Sequence, residues 1–421
     1  MINLWIGMPM PVRLAALAIL GIVGGAFANY LIYTGCYFPR PISPWADPDK
    51  EAPPRKATDR VPLIGWMGLR RESSIHGRGF WIRPILIEVA MAIGLPLLYW
   101  HETQSVGILP AAFAAAAGAF EPWATQIFFG HALLVTLMVA ATFIDFDETT
   151  IPDVITVPGT IIALIMMSCS LKWLLPAVDG PAGAPLLVPA TYEFPWPPGD
   201  PKWQGTTGLW LGLAIWSGWC FALANRRVIL RHGLAKAFEY FMASLTRRYN
   251  WKLLLGIWLV GFFAIIGVHK WGGTHWEGLF SSLVGLAVGG GVVWAIRIVA
   301  SLAMNAEAMG FGDVTLMAMV GAFCGWQTAV LAFALAPFTA IAIVIVQFVL
   351  TRNRSVPFGP YLCAGTLLTI IYWDEVFLGW FARNFNLLGP IILPGAAAML
   401  GLMGVMLFIS RMVKQLLRGS A

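Results

Sequence analysis

Three aspartates lie in a short polar stretch between two apolar segments, and their type and setting are the first indication of chemistry in this chain. The stretch reads IDFDETTIPD, and its aspartates are Asp145, Asp147 and Asp153. A carboxylate near hydrocarbon is costly, so each one needs a partner or a function. Taken alone, the stretch is also compatible with an ordinary solvated loop, since Pro152 at the start of a helix is a common placement.

A second acidic motif follows much later in the chain. It reads NAEAMGFGD, with Gly310 and Gly312 on either side of Phe311, and it ends at Asp313. Glycine permits tight turns and close backbone approach, so an extended substrate could lie beside this segment. Asp313 could equally cap the helix that follows. Taken alone, the motif therefore indicates only a helix break.

The two motifs together suggest a specific chemistry. A carboxylate pair can hydrolyse a peptide bond without a metal or a covalent nucleophile. One ionised aspartate takes a proton from water while its protonated partner polarises the carbonyl group. The pair shares a proton because two close negative charges repel each other. The reaction consumes water, so both carboxylates should lie near a boundary between membrane and water.

The composition is that of a membrane protein. The chain has 421 residues, of which 58% are hydrophobic and 11% are charged, and its mean hydropathy is +0.74. A soluble domain carries about 25% charged residues. The formal net charge is +6, but the basic residues lie mostly in a few loops between apolar segments. That distribution indicates membrane topology and gives no reason to expect a nucleic-acid partner.

The apolar segments predict the fold class. A spanning helix needs about 20 mostly apolar residues. Eleven segments are candidates: 12–34, 84–100, 124–144, 152–174, 206–224, 252–269, 278–303, 314–333, 335–350, 359–375 and 390–410. The pair at 314–350 is also compatible with one long bent helix, and 106–119 with a surface or re-entrant segment. The sequence therefore predicts an all-α, polytopic integral membrane protein with about 9–11 transmembrane helices, the first of them retained rather than cleaved as a signal peptide.

The basic residues predict the orientation of these helices. Segments 35–83 and 225–252 and the C-terminal tail are rich in Arg and Lys, whereas 175–205 has one Lys and many Pro, Gly and Trp. The positive-inside rule places the basic segments in the cytoplasm and 175–205 outside. Eleven spans that start outside satisfy this distribution. They bring Asp145 and Asp313 to the cytoplasmic side at the same depth.

The motifs resemble those of the type IV prepilin peptidase family. The resemblance rests on IDFDETTIPDVIT, EAMGFGDVTLM, the later VPFGPYLCAG and the early GAFANYLIY, and it covers most of the chain outside roughly 175–275. That family consists of membrane aspartic proteases with a G-x-G-D motif, which cut the leader from prepilins and pseudopilins. The resemblance implies that Asp145 and Asp313 are catalytic. It assigns supporting roles to Asp147, Pro152, Asp153, Glu307, Gly310 and Gly312.

The chain departs from the family pattern in its first cytoplasmic loop. Members of the family often carry two C-x-x-C pairs there that bind zinc, and they methylate the new pilin terminus with S-adenosylmethionine. This chain has five cysteines, none in a C-x-x-C pair, and Cys36 is the only one near the loop. His76 alone cannot make a four-ligand site. We therefore expect no cofactor: neither bound zinc nor methyl transfer from S-adenosylmethionine is predicted.

The predicted organisation has two parts. Residues 1–105 form an N-terminal membrane region with a basic loop, and 106–421 form the peptidase membrane domain, with an inserted segment at about 175–275. The basic segment 225–252 is interpreted either as a membrane-hugging linker or as a docking site for a secretion partner.

The resemblance also implies substrates, partners and a location. The expected substrates are prepilins or pseudopilins, and the expected partners, besides the lipid bilayer, are components of a type IV pilus or a type II secretion system. The implied location is the bacterial cytoplasmic (inner) membrane, with the active site facing the cytoplasm. Two alternatives stay open. One is a catalytically inactive relative that serves as an assembly platform, and the other is an ion- or proton-coupled transporter, because intramembrane acids suit that role as well.

Overall fold

The computed structural model is built almost entirely from helices. It describes residues 2–104, 107–110, 113, 115, 117–179, 186–193, 203–224, 251–306, 309–351 and 357–419. Its helices are α1 (Ile2–Ile6), α2 (Met10–Thr34), α3 (Ile64–Leu69), α4 (Ser73–His76), α5 (Ile82–Thr103), α6 (Ala117–Glu148), α7 (Asp153–Cys169), α8 (Thr206–Ala224), α9 (Trp251–Trp271), α10 (Gly273–Met304), α11 (Phe311–Thr351), α12 (Gly359–Ile371) and α13 (Ala382–Gly419). Two short strands, β1 (Pro176–Asp179) and β2 (Leu186–Pro189), pair with each other.

Most of these helices match the predicted spans. Among the described residues, α2, α5, α6, α8, α9, α10, α11 and the later part of α13 are long and apolar enough to cross a membrane, which gives eight candidates. The helix α12 and the π-helical segment Asp374–Phe381 form a pair bent by 79°, which makes nine candidates if that pair is one span. The predicted all-α polytopic membrane fold is confirmed.

The structure differs from the prediction at one span in particular. Segment 152–174 was expected to form a full span, but α7 has 17 residues and ends at Cys169. A short 3-10 turn, Leu171–Trp173, follows it. Ser170 begins that turn by accepting the Lys172 N–H with its side chain. A polar residue that competes for backbone donors in this way favours a helix end, so α7 stops short of a bilayer's thickness.

The segment 314–350 forms one long helical run, α11, as the bent-helix alternative predicted. Its break lies at Gly325, where φ is 85° and ψ is 166°, and not near residue 334, where two separate helices would have met. Glycine is the residue that tolerates a positive φ. The next two side chains fix the break, because Trp326 Nε1 donates to the Tyr192 carbonyl at 3.1 Å and Gln327 Nε2 to the Thr191 carbonyl at 2.7 Å.

The chain divides into two compact units. The first comprises Met1–Gly159, Val178–Leu186 and Leu331–Gly379, and the second comprises Thr160–Ala177, Leu187–Val330 and Trp380–Ala421. Asp145 belongs to the first unit and Asp313 to the second.

Close glycine contacts hold the first unit together. A Cβ at Gly21 of α2 would lie 2.2 Å from the Met91 carbonyl oxygen, and one at Gly25 would lie 2.6 Å from the Cα of Glu88, both on α5. Packing through small residues lets the backbones of membrane helices approach closely. The helix α6 packs against α2, α5 and α12, so the helix that carries Asp145 is surrounded within its own unit.

Buried polar pairs also join α2, α5 and α6. Arg13 Nη1 donates to Glu121 Oε1 at 2.6 Å and to the Tyr99 hydroxyl at 2.8 Å. The side chains of His131 and Glu102 meet at 2.7 Å and are both buried. Charged groups among membrane helices are tolerated when they pair in this way. These contacts involve the first half of α6, whereas Asp145 lies in its last turn.

Close glycine contacts also occur in the second unit. A Cβ at Gly285 of α10 would lie 2.0 Å from the Gly321 carbonyl oxygen of α11, and one at Gly289 would lie 2.3 Å from that of Met317. The Ser282 hydroxyl donates to the Ala322 carbonyl at 2.7 Å in the same crossing. Because Asp313 lies in the first turn of α11, this crossing determines where that turn lies within the unit.

Candidate active site

Asp145 lies in the last turn of α6 and is only 4% exposed. Its own carbonyl accepts the Thr149 N–H at 2.9 Å, and Thr149 has a φ of 53°. This αL residue directly follows α6 and ends it. The local sequence therefore fixes the Asp145 side chain at a helix end, where the backbone changes direction.

The Asp145 carboxylate is held by the start of another helix. Its Oδ2 accepts the backbone N–H of Gly359 at 3.0 Å, in a buried contact between residues 214 apart in sequence. A Cβ at position 359 would lie 2.6 Å from that oxygen and 2.8 Å from Ile151 Cδ1. Only glycine therefore lets the first turn of α12 approach so closely. Gly359 lies in the VPFGPYLCAG stretch, so the sequence carried a signal for it although its contact with Asp145 was not predicted.

The two carboxylates that follow Asp145 make contacts with the first loop. Asp147 accepts two hydrogen bonds from the Arg83 guanidinium, at 2.8 and 2.7 Å. Glu148 accepts the backbone N–H groups of Tyr37 and Phe38 at 2.9 and 3.0 Å. Asp147 was predicted to support the site, and it does bind a neighbouring element. From the sequence, Arg83 was only one of the basic residues that predicted the membrane orientation.

Pro152 and Asp153 form the entry to α7. Pro152 is buried directly before the helix, and its carbonyl accepts the Ile155 N–H at 3.2 Å. Asp153 is the first helical residue and is partly buried. An acidic side chain in the first turn is favourable there because of the helix dipole. Both residues therefore shape the turn that follows Asp145.

Asp313 is the third residue of α11 and is 6% exposed. It lies inside the first turn and not at the N-cap, which was the simpler interpretation of the motif. Gly310 precedes the helix, and a Cβ there would be in ordinary contact with Asp313 Oδ2, at 3.6 Å. The Thr315 hydroxyl donates to the Gly312 carbonyl at 3.0 Å. The motif thus forms a compact turn around a buried carboxylate.

Arg297 supports this turn and was not singled out by the sequence. It lies on α10 and is 1% exposed, and its Nε donates to the Met309 carbonyl at 2.6 Å. Its guanidinium carbon lies 5.5 Å from the centre of the Phe311 ring. An arginine within the apolar segment 278–303 was the available signal, because an intramembrane charge usually marks a functional region.

The structure places most but not all of the predicted residues. Asp145, Asp147, Pro152 and Asp153 lie in the first unit, and Gly310, Gly312 and Asp313 in the second. Glu307 lies outside the described residues, as do most of the segment 225–252 and parts of 106–119 and 175–205. The pairing of the two buried carboxylates, one in each unit, stays a prediction.

The first loop is where the family pattern would place a zinc ion, so its donor side chains matter. Among the described residues, no group of three His, Cys, Asp or Glu side chains is arranged to hold a metal ion. The buried Glu72 lies 3.2 Å from Arg55, in an ion pair, and 3.4 Å from His76 Nε2. Burial raises the pKa of the Cys36 thiol, which disfavours the thiolate that zinc requires. These donors do not fit a zinc site.

Comparisons with known proteins agree with the motifs. Residues 249–345, which include Gly310, Gly312 and Asp313, match the type IV leader peptidase family. A protein of Pseudomonas putida named prepilin leader peptidase/N-methyltransferase is 33% identical over 141 residues, which cover 32% of this chain and 45% of that protein. The protein of the same name in Escherichia coli (strain K12) is 33% identical over 96 residues, covering 22% of this chain and 43% of that protein.

These matches support the predicted resemblance over part of the chain. The chain contains a region of the type IV leader peptidase family, and the predicted resemblance is confirmed. The matched segments span less than half the length of these curated relatives. No solved structure matches the chain. The family match begins at residue 249, so it includes the last part of the segment 175–275 that was predicted to be an insertion.

Proposed function

We propose that this protein is a membrane-embedded aspartic endopeptidase that removes the basic leader peptide from type IV prepilins or pseudopilins. The observation that carries the proposal is the setting of the two motif aspartates. Asp145 and Asp313 are 4% and 6% exposed, and each lies in a terminal turn of a helix that is apolar enough to span a membrane. Buried carboxylates at such positions suit chemistry that needs both a low dielectric and access to water.

The names of the similar proteins support the substrate class. The relatives from Pseudomonas putida and Escherichia coli are named prepilin leader peptidases. By the charge distribution of the loops, we place the reaction at the cytoplasmic face of the bacterial inner membrane. The proposed peptidase domain is 106–421, with 1–105 as the N-terminal membrane region, and pilus or secretion components are the proposed partners.

The proposed mechanism uses the two carboxylates as one acid–base pair. The ionised member takes a proton from water, and the resulting hydroxyl adds to the scissile carbonyl carbon. The protonated member donates its proton to the carbonyl oxygen, so a neutral tetrahedral diol forms. When the diol collapses, the C–N bond breaks and the leaving amine receives a proton from the carboxylic acid that formed in the first step. A hydroxyl of the diol returns a proton to the other carboxylate, which restores the pair. The products are the leader's carboxylate and the new pilin terminus.

The peptidase proposal can be tested with the full chain in liposomes. The probe is a prepilin-like protein with a basic leader, a glycine and an apolar helix, and mass spectrometry measures its cleavage. We expect the wild-type chain to cut after the glycine. Asp145→Asn and Asp313→Asn should each slow cleavage by about 10²–10⁴-fold, the usual contribution of a general acid or base. Asp147→Asn should retain more activity than either.

The outcomes separate the alternatives. If the wild-type chain binds the probe but leaves it intact, the inactive-platform alternative is favoured. If both Asn variants still cut at the wild-type rate, the pair is wrongly assigned.

Methyl transfer is not proposed for this chain, although the names of the relatives include it, because the loop lacks the cysteine pairs. Metal analysis and the product mass test this point: about one zinc per chain, or a product heavier by one methyl group, would contradict it.

A further inference from the structure

The end of α6 is tied to the start of α5 by an arginine, Arg83. Arg83 lies in the first turn of α5, and its Nη1 and Nη2 donate to Asp147 Oδ1 and Oδ2 at 2.8 and 2.7 Å. Two parallel hydrogen bonds fix both the distance and the plane of the carboxylate. Arg40 approaches the same carboxylate only at 3.5 Å. Arg83 is thus the main partner of Asp147.

The same guanidinium also contacts α6 on the other side of Asp145. Its carbon lies 5.4 Å from the centre of the Phe143 ring and 5.6 Å from that of Tyr33. Phe143 and Asp147 lie two residues before and two residues after Asp145. One side chain therefore restrains the helix on both sides of the catalytic candidate without contacting that carboxylate itself.

Arg83 is in turn held by a buried network. The next residue, Pro84, accepts Asn29 Nδ2 with its carbonyl at 3.0 Å. Glu88 lies on α5 four residues after Pro84 and is buried. It accepts hydrogen bonds from Asn29 at 3.0 Å, from Trp66 Nε1 at 2.8 Å and from the Leu63 N–H. The start of α5 is therefore fixed to α2 and to the loop. A positioning group is effective when its own base is rigid in this way.

We propose that Arg83 is a positioning residue for Asp145, which sets the orientation of the last turn of α6 through Asp147 and Phe143. This inference rests on the proposed peptidase function. Misplacement of a reacting group by about 1 Å can cost about 100-fold in rate. Loss of Arg83 should therefore lower kcat and leave KM nearly unchanged, because in this proposal Arg83 acts on the orientation of Asp145 and not on the substrate.

The test compares five full-length variants, one of them with two substitutions, in the liposome cleavage assay. Arg83→Met should reduce kcat by about 10–100-fold, with KM changed less than about threefold. Arg83→Lys should fall between it and the wild type, because lysine keeps the charge and loses the planar pair of donors. The exchanged pair Arg83→Asp with Asp147→Arg should recover about tenfold over Arg83→Asp alone. Arg78→Met removes an exposed arginine from the same loop and should match the wild type.

The thermal unfolding midpoint of each variant supplies a readout that does not depend on activity. If the wild-type chain does not cleave the probe, the proposed function fails, whereas coupling between Arg83 and Asp147 in the unfolding midpoints still verifies the contact. If the wild type cleaves and Arg83→Met behaves like Arg78→Met, Arg83 has no positioning role. If Arg83→Met does not fold, Arg83→Lys decides: full kcat overturns the inference, and reduced kcat at unchanged KM supports it.

Discussion

Asp145 and Asp313 are both nearly enclosed, but the two compact units hold them by different means. Around Asp145 the contacts are polar and come from distant parts of the chain: the Gly359 N–H, the Arg83–Asp147 pair and the backbone donors that bind Glu148. The helix that carries Asp313 is restrained by close packing, because the backbones of α10 and α11 touch at Gly285 and Gly321.

The difference predicts different sensitivities. Polar restraints fix orientation and tolerate modest changes in size, whereas a close-packed crossing tolerates almost no added atom. We therefore expect the surroundings of Asp145 to respond to changes in hydrogen bonding and charge. We expect the helix of Asp313 to respond to a single methyl group.

Among these comparisons the largest effect on activity is expected at Gly359, which combines a hydrogen bond to Asp145 with close packing. Gly359→Ala places a Cβ 2.6 Å from Asp145 Oδ2, so the first turn of α12 must move and its N–H must leave the carboxylate. Leader cleavage should slow by about 100-fold. Gly94→Ala is the control, since no atom lies within 4 Å of its Cβ position. Equal rates for the two variants would show that the Gly359 contact is not needed.

The next effect concerns the stability of the second unit. Gly285→Ala places a Cβ 2.0 Å from the Gly321 carbonyl oxygen and should lower the free energy of unfolding by about 1–3 kcal/mol. Gly291→Ala, six residues later on α10, meets nothing within 4 Å and should raise that free energy by about 0.5–1 kcal/mol, because alanine favours a helix. Thermal unfolding in detergent measures both. The same sign for both variants would refute the close crossing.

Arg297 should contribute to stability through its hydrogen bond to the Met309 carbonyl. Arg297→Met leaves the partly buried Met309 carbonyl without its 2.6 Å donor, which should cost about 1–3 kcal/mol in the free energy of unfolding. The control is Leu302→Met on the same helix, at a side chain that is 75% exposed. A shift no larger than that of the control would mean that the turn before Asp313 needs no support from α10.

The smallest effect is a pH dependence in the first loop. Arg71 donates to Asp59 at 2.9 Å, and this hydrogen bond holds the pKa of Asp59 below its usual 3.8. A lowered carboxylate pKa contributes stability that is complete well above pH 3.8 and is lost as pH falls through 3.8 towards the folded-state pKa. The free energy of unfolding of Asp59→Asn should therefore lie below that of the wild type at pH 7, by about 1 kcal/mol or less, and approach it near pH 3. A constant difference across that range would contradict the pairing.

The sequence predicted the local features of this molecule well. Most of the apolar segments that were predicted as spans lie on helices, and both motif aspartates lie in terminal turns, because periodicity, glycine and proline act over a few residues. The position of the break at Gly325 was not predicted, because it depends on contacts with Tyr192 and Thr191, far away in sequence. The contacts of Gly359 and Arg83 were missed for the same reason: hydrogen bonds across 214 and 64 residues depend on how helices pack.

The central claim is that Asp145 and Asp313 act as one pair, and disulfide trapping in the membrane tests it most directly. The chain would carry Asp145→Cys and Asp313→Cys, with its five native cysteines replaced by alanine. A control would pair Asp145→Cys with Thr207→Cys at the exposed start of α8, which the charge distribution places at the opposite membrane face. After mild oxidation, we expect a disulfide in the first chain and none in the control. If a small maleimide labels both cysteines of the first chain and yet no disulfide forms, the two carboxylates do not share a site.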